Sequence, residues 1–216
     1  YLHFEPDLYI KKLNFIIMHN IIKTTLTVFL ILFSEIILGQ ISDTKLPSSG
    51  YNFLVISDFG RNGYGNQKEV ADVMAPVAVS SNVKFIVTAG DNFQVSGVQS
   101  VSDPLWMTSF ENIYDHPVLL QDWYPTLGNH DYAGNIQAQI DYSQVSRRWR
   151  MPANYYTLVK EGKDCSIRLV MLDTYLIIRG IKDSDPQFSF SDAKKQLTWV
   201  DSVLSVSNED WVIVVG

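Results

Sequence analysis

Three short apolar runs in this chain end abruptly in clusters of Gly, Asp and Asn, and no other feature restricts the fold so tightly. Val55-Ile56-Ser57 leads into Asp58-Phe59-Gly60. Phe85-Ile86-Val87-Thr88-Ala89 leads into Gly90-Asp91-Asn92-Phe93, and Tyr124-Pro125-Thr126-Leu127 into Gly128-Asn129-His130-Asp131. Runs this short, apolar and bounded by turn residues read as buried strands. Stretches of helical spacing lie between several strand-like runs, so the chain alternates β and α and predicts an α/β domain with a largely parallel central sheet. Ligands of open α/β sheets bind outside the carboxyl ends of the strands. Three polar clusters at three strand ends are therefore expected on one rim.

The same periodicities place strands at residues 51–57, 83–88, 123–127, 155–159, 167–172 and 211–215. Helices are expected over 66–80, 104–114, 135–149 and 191–205. On the first, Val70, Val73, Met74 and Val77 share a face, although Pro76 should end or kink it. On the last, Leu197, Val200 and Leu204 share a face behind Ser191 as N-cap. Trp106, Trp123, Trp149 and Trp199 fall among periodic apolar positions and read as core. Arg147, Arg148 and Arg150 cluster at a predicted helix end, where cations complement the dipole. Contact with a substrate phosphate is the competing reading of that cluster. No internal repeat or low-complexity tract is visible.

Met18 is the first methionine; a single positive charge, Lys23, precedes the apolar run 26–38 and then Gly39-Gln40. That order is the order of a secretion signal. Ser34 and Glu35 interrupt the run, which is short for a spanning helix; a core helix or an uncleaved anchor are the alternatives. Residues 1–17 are then upstream and non-native, 18–40 a signal peptide and 41–50 a polar linker. The expected location is secreted or periplasmic, with no stable membrane anchor once the signal is cleaved.

Composition removes whole classes of function. The chain carries 17 Lys+Arg against 23 Asp+Glu, a net charge of −6, which argues against a nucleic-acid partner because phosphate backbones reward basic excess. Its one cysteine, Cys165, excludes an internal disulfide and a Cys-based zinc site. Hydrophobic residues make up 46%, enough to bury a core.

The three clusters supply hard oxygen donors: the carboxylates of Asp58 and Asp91 and the amide oxygen of Asn129. Such donors suit divalent or trivalent cations. A bridging carboxylate can also join two metals about 3.5–4 Å apart, the arrangement that clamps phosphoryl displacement. Each cluster alone is weak. Asp-Phe-Gly is also the kinase magnesium motif, but no His-Arg-Asp loop or Lys-bearing kinase strand accompanies it. The specificity lies in the order: strand–Asp-x-Gly, strand–Gly-Asp-Asn, strand–Gly-Asn-His-Asp.

With the segments GDNF..SGV, SFENIY, WYPTLGNHDYAGNIQAQIDYS, RRW..P..YY and VMLDT in succession, this order resembles the calcineurin-like metallophosphoesterases, most of all the small tartrate-resistant purple acid phosphatases. The resemblance runs from Tyr51 to Gly216. It implies a sandwich of central β-sheets flanked by helices, with 51–216 the N-terminal portion of the phosphoesterase domain. It implies a phosphoric monoester hydrolase of the acid phosphatase type, secreted and monomeric, acting on a small phosphate ester. A phosphodiesterase or nucleotidase, and a non-catalytic secreted binding relative, are the alternatives.

By the same resemblance, two metals are implied, iron plus zinc, manganese or a second iron. Asp58 would bind the first, Asp91 would bridge both and Asn129 would bind the second. His130 would face the substrate and help protonate or orient the leaving group. A metal-held hydroxide would attack phosphorus, its water acidified from a pKa of about 15.7 toward about 7. Asn92, Gln94 and Asp131 are expected behind these ligands, orienting His130 or Asp91. Two departures stand out. Gly60 occupies the position where general metallophosphoesterases have His, and Gln94 the position where the purple subgroup has Tyr. Loss of the phenolate argues against a ferric, purple site. The resemblance also implies three further His ligands, expected beyond Gly216, so the chain reads as a C-terminally truncated fragment that is inactive alone. His116, before Pro117, reads as a surface or packing residue, and Asp173 as structural.

Overall fold

The structure is a computed structural model that describes Lys23, residues 50–182 and residues 188–216. Apart from Lys23 and Gly50, the predicted upstream segment, signal peptide and linker lie outside the described residues. The elements below belong to the compact unit Lys45–Gly216.

Two three-stranded sheets organise the unit. In the first, β1 (Leu54–Ile56), β2 (Ile86–Thr88) and β3 (Trp123–Pro125) run parallel in that order. Their register sets Ile56 beside Thr88 and Thr88 beside Pro125, so all three strands stop at one level. In the second, β4 (Tyr156–Glu161) and β5 (Ser166–Met171) are antiparallel, and β6 (Trp211–Val215) lies parallel to β5. The expectation of a largely parallel sheet is thus corrected to one parallel and one mixed sheet. The reason is loop length: only four residues join β4 to β5, closed by the Gly162 N–H donating to the Cys165 carbonyl at 2.7 Å, too few for a crossover.

Helix α1 (Gln67–Ser80) forms where expected and contains Pro76 without ending there. Its buried face is offset from the expected one, although Met74 of the expected face does pack against the core. Gln67, Ala71, Ala75 and Ala78 are buried, whereas Val73 is 65% exposed and Val70 and Val77 are exposed as well. The alanines Ala71, Ala75 and Ala78 join the buried core. The 104–114 segment is a π-helix, Trp106–Glu111. Residues 135–149 do not form one helix: α2 (Ile136–Asp141) is short, capped by the Asn135 side chain, which accepts from the Gln137 and Ala138 N–H groups at 3.1 and 3.4 Å. The chain beyond is drawn to the sheet instead. The Trp123 N–H donates to the Arg148 carbonyl and the Arg150 N–H to the Trp123 carbonyl, at 2.7 and 2.8 Å.

Helix α3 (Thr174–Lys182) was not expected from periodicity. Its legible signal is Asp173, whose Oδ1 accepts the Leu176 N–H at 2.9 Å in the manner of an N-cap. Helix α4 (Phe190–Val206) begins at Ser189 rather than Ser191; the Ser189 hydroxyl accepts the Asp192 N–H at 3.1 Å. It buries Ala193, Gln196 and Val203, while Leu197 and Leu204 are exposed.

The core is aromatic. Phe59, Phe93, Trp106, Phe110, Tyr114, Trp123 and Trp149 are all buried, and Trp106 stacks on Tyr142 at 3.5 Å. Trp199, expected in the core, is half-buried instead and packs against Tyr155 at 4.9 Å. Arg148 is neither a substrate contact nor an exposed dipole partner: at 3% exposure its guanidinium donates to the carbonyls of Phe110, Glu111, Tyr114 and Leu119 and pairs with Glu111 at 3.0 Å. It ties the π-helix to the segment that follows, adding a donor to the Phe110 and Leu119 carbonyls, which also accept the Tyr114 backbone N–H and the Trp123 indole N–H. His116 caps the turn Pro117–Leu119, its Nδ1 accepting the Val118 N–H at 3.3 Å.

Candidate metal centre

Because β1, β2 and β3 end in register, the loops that follow them start from one level and meet. Asp58, Asp91 and Asn129 line a single cleft of about 240 Å³, together with Thr174, Tyr175 and Gly216. The second sheet contributes from its own carboxyl end, since Met171 and Val215 are also in register.

Two close approaches hold the three loops together. A Cβ on Gly60 would lie 1.9 Å from the Asn92 carbonyl oxygen, so glycine lets the first loop touch the second. A Cβ on Gly128 would lie 2.2 Å from Asp91 Oδ1 and 2.3 Å from the Asp91 nitrogen, so glycine lets the third loop touch the second. The Asp58 N–H donates to the Gly90 carbonyl at 3.2 Å. Both carboxylates sit on left-handed backbone, φ 55 at Asp58 and 49 at Asp91. Asp tolerates this conformation better than most residues, yet it carries strain of the kind that concentrates at functional sites.

Each predicted residue has a definite place. Asp58 and Asn129 are exposed to the cleft, and Asp91 is half-buried. Asp91 Oδ1 accepts the His130 backbone N–H at 2.9 Å, which ties the second loop to the third. The His130 ring is half-buried, and the residue does not line the cleft. Gln94 donates its amide to Asp58 Oδ1 at 3.2 Å. Tyr132 is turned elsewhere, its hydroxyl donating to Asp173.

Behind the rim lies a wholly buried polar cluster centred on Asp131. Its Oδ2 accepts the backbone N–H groups of Asn92 and Gly128 at 3.1 and 2.9 Å, and its Oδ1 that of Phe93 at 3.1 Å. The amides of Gln139 and Asn92 donate to it at 2.8 and 3.3 Å. Burial pushes the Asp131 carboxyl up to about 6, while the N–H donors of Gly128, Gln139, Asn92 and Phe93 pull the other way. One carboxylate thus fixes the backbones of the second and third loops. Asn92 completes the cluster by donating to the Thr126 carbonyl at 2.7 Å and accepting from the Thr88 hydroxyl. Asp173 is buried too; burial pushes its carboxyl up, against the donors Tyr132 and Leu176.

Two carboxylates and one amide are the right kind of donor for a hard cation. They do not suffice for two: among the described residues no three His, Cys, Asp or Glu side chains gather into a group that could hold a metal. No chemical step is therefore derived through a metal from these residues alone.

Residues 51–216 match the family model of the calcineurin-like phosphoesterases, and the chain belongs to that family. Within it, the chain is similar to acid phosphatases of the purple and tartrate-resistant kinds. It is 29% identical to purple acid phosphatase 4 of Arabidopsis thaliana, over 91% of this chain and 61% of that protein. It is 32% identical to tartrate-resistant acid phosphatase type 5 of Sus scrofa, over 89% of this chain and 62% of that protein. Among solved structures it superposes on GAP50, described as the anchor in the inner membrane complex of Plasmodium, with a TM-score of 0.66 and 26% identity over 76% of this chain and 53% of that one. The chain spans about three-fifths of the length of the two acid phosphatases. Among the described residues no helix is long and apolar enough to cross a membrane.

Residues that sequence reasoning missed at this rim are Thr174, Tyr175 and, beyond Gln94, Arg61 and Tyr64. Thr174 and Tyr175 reach it only because α3 starts at the end of β5. Arg61 and Tyr64 belong to no motif.

Proposed function

We propose that the protein carrying this chain is a secreted, metal-dependent phosphomonoesterase of the acid phosphatase type. The observation that carries the reading is the convergence of Asp58, Asp91 and Asn129, from the ends of three parallel strands, on one cleft. Asp58 would hold the first cation, Asp91 would be shared by both and Asn129 would serve the second; further donors are required. The cations, when bound, offset phosphate charge and acidify water. This chain's own residues do the rest. Asp131 and Asn92 lock the loops, Gly60 and Gly128 permit their contact, and the His130 N–H orients Asp91. The His130 ring is the proposed proton carrier for the leaving group.

The experiment is hydrolysis of para-nitrophenyl phosphate by the metal-loaded protein that carries this chain, beside Asp91→Ala. Loss of turnover by about 100-fold or more is expected from removing a group that positions the reacting centre; unchanged hydrolysis refutes the reading. A panel of phosphate diesters separates a phosphodiesterase. The Gln94 amide on Asp58, in the place of the expected Tyr, supports a colourless site, and a strong visible band on iron loading would overturn that. The same contact, with the likeness to an anchor protein, favours a second reading as a non-catalytic binding relative, for which Asp91→Ala would change nothing.

A further inference from the structure

A second cleft, of about 560 Å³, opens beside the rim and is lined by Arg61, Tyr64, Gln94, Val95, Ser96 and Leu105 among others. Gln94 joins it to the metal rim, since its amide donates to Asp58 at 3.2 Å. The volume falls within the range of roughly 300–1,000 Å³ that takes small molecules.

The backbones of both walls are hydrogen-bonded in place. The 61–65 loop is pinned from beneath. Buried Gln67 accepts the N–H groups of Arg61 and Gly63 at 3.1 and 2.9 Å, and the Ser109 hydroxyl accepts that of Asn62 at 2.8 Å. Above this anchored backbone, Tyr64 is 73% exposed. The Arg61 guanidinium has no hydrogen bond or ion pair among the described residues. On the opposite wall the Ser96 N–H donates to the Gln94 carbonyl at 3.1 Å across Val95, whose φ is 74. That is a γ-turn of the rare, strained hand, and a β-branched residue is the least suited to occupy it. The strain holds Val95 out at 83% exposure, with no packing in return. Backbone strain of this kind persists where surrounding structure imposes it and marks ligand clamps.

Resting on the phosphomonoesterase reading, we propose that this cleft receives the organic part of the ester and selects an aromatic group bearing a second acidic group. The ring lies against Tyr64, Val95 and Leu105, where an exposed aromatic face and apolar walls favour a flat apolar partner. The acid meets Arg61, which offers a planar fork of N–H donors matched to a carboxylate or phosphate. The phosphate to be cleaved stays on the far side of Gln94, at Asp58, Asp91 and Asn129.

The test begins with binding, which needs no catalysis. The 216-residue chain is titrated with 4-ethylbenzoate and, separately, with 4-ethylphenol, following backbone amide shifts. Saturable shifts at residues 61–65 and 94–96 are expected for the benzoate, weaker ones for the phenol. Arg61→Ala should weaken the benzoate on the order of ten-fold by removing a charge-assisted hydrogen bond. Val95→Gly, which relieves the turn and so folds, should weaken both probes. Shifts absent from these loops, or an Arg61→Ala chain that binds the benzoate as before, overturn the proposal. The metal-loaded protein carrying this chain is then given phenyl phosphate and 4-carboxyphenyl phosphate. A preference for the second in kcat/KM, collapsing in Arg61→Ala, is expected. Equal loss on both esters would instead put Arg61 on the cleaved phosphate and overturn the assignment. If the probe binds and neither ester is cleaved, the phosphatase reading fails while the aryl-acid site stands without its ester.

Discussion

Replacing Asp131 with Ala tests how the loops are held. The substitution removes the acceptor for three backbone N–H groups, those of Asn92, Phe93 and Gly128, and for the Gln139 amide; Gly128 borders the open cleft, where water can replace the lost acceptor. The Asn92 amide keeps its bond to the Thr126 carbonyl at 2.7 Å. Three donors in wholly buried residues, those of Asn92, Phe93 and Gln139, are therefore orphaned. Each orphan costs about 1–3 kcal/mol, so the gross loss is at least about 3 kcal/mol. Against this, the buried charge disappears. Its carboxyl is pushed from 3.8 to about 6, and at about 1.4 kcal/mol per pKa unit the relief is about 3 kcal/mol. With donor costs near the middle of their range, about 2 kcal/mol each, the net destabilisation is about 3 kcal/mol. Urea unfolding of the chain at neutral pH, with the slope unchanged, measures it directly. A loss below about 1 kcal/mol, near the low end of a single orphaned donor, would refute the idea that this carboxylate is the clamp of the second and third loops.

Gly128→Ala should destabilise by about 1–3 kcal/mol through overpacking, because the added carbon would lie 2.2 Å from Asp91 Oδ1; an unchanged thermal midpoint refutes the close approach. Tyr114→Phe should leave stability unchanged or raise it by up to about 1 kcal/mol in denaturant unfolding, since burial pushes the hydroxyl up to about 12, the Gln67 amide beside it offsets this only in part, and no hydrogen bond of good geometry satisfies it. A clear loss would mean that the hydroxyl has a partner. Asp173 has its carboxyl raised, chiefly by burial, so its contribution is fully present below the ordinary carboxylate range and is lost as pH rises through the raised value. Asp173→Asn mimics the neutral form and should gain on the wild type across that window; a stability difference constant from pH 4 to 8 refutes this.

Much of the fold is legible in the order of apolar and polar residues. β6 matches its expected bounds, and β1, β2 and β3 fall inside theirs, because short apolar runs closed by Gly and Asp have few other ways to be satisfied. The helix faces are not legible in the same way. Valine spacing on α1 points to one face and the structure buries the alanine face, since which stripe meets the core depends on where the helix lies over it. The 135–149 segment has helical spacing, yet Arg148 and Trp149 leave it. The four carbonyls that accept from the Arg148 guanidinium belong to Phe110, Glu111, Tyr114 and Leu119, far away in sequence.

The sequence by itself determined which chemistry is on offer: two carboxylates and an amide, each directly after a strand. Only the tertiary structure decided that these donors share a cleft, because convergence needs three strands ending in register and glycines that let loops touch. It alone decided that Gln94 bonds Asp58, that Asp131 binds the loops from beneath, and that Arg61, Tyr64 and Val95 face a common space. Those relations join residues tens of positions apart, and no local pattern of residues encodes a distance across the fold.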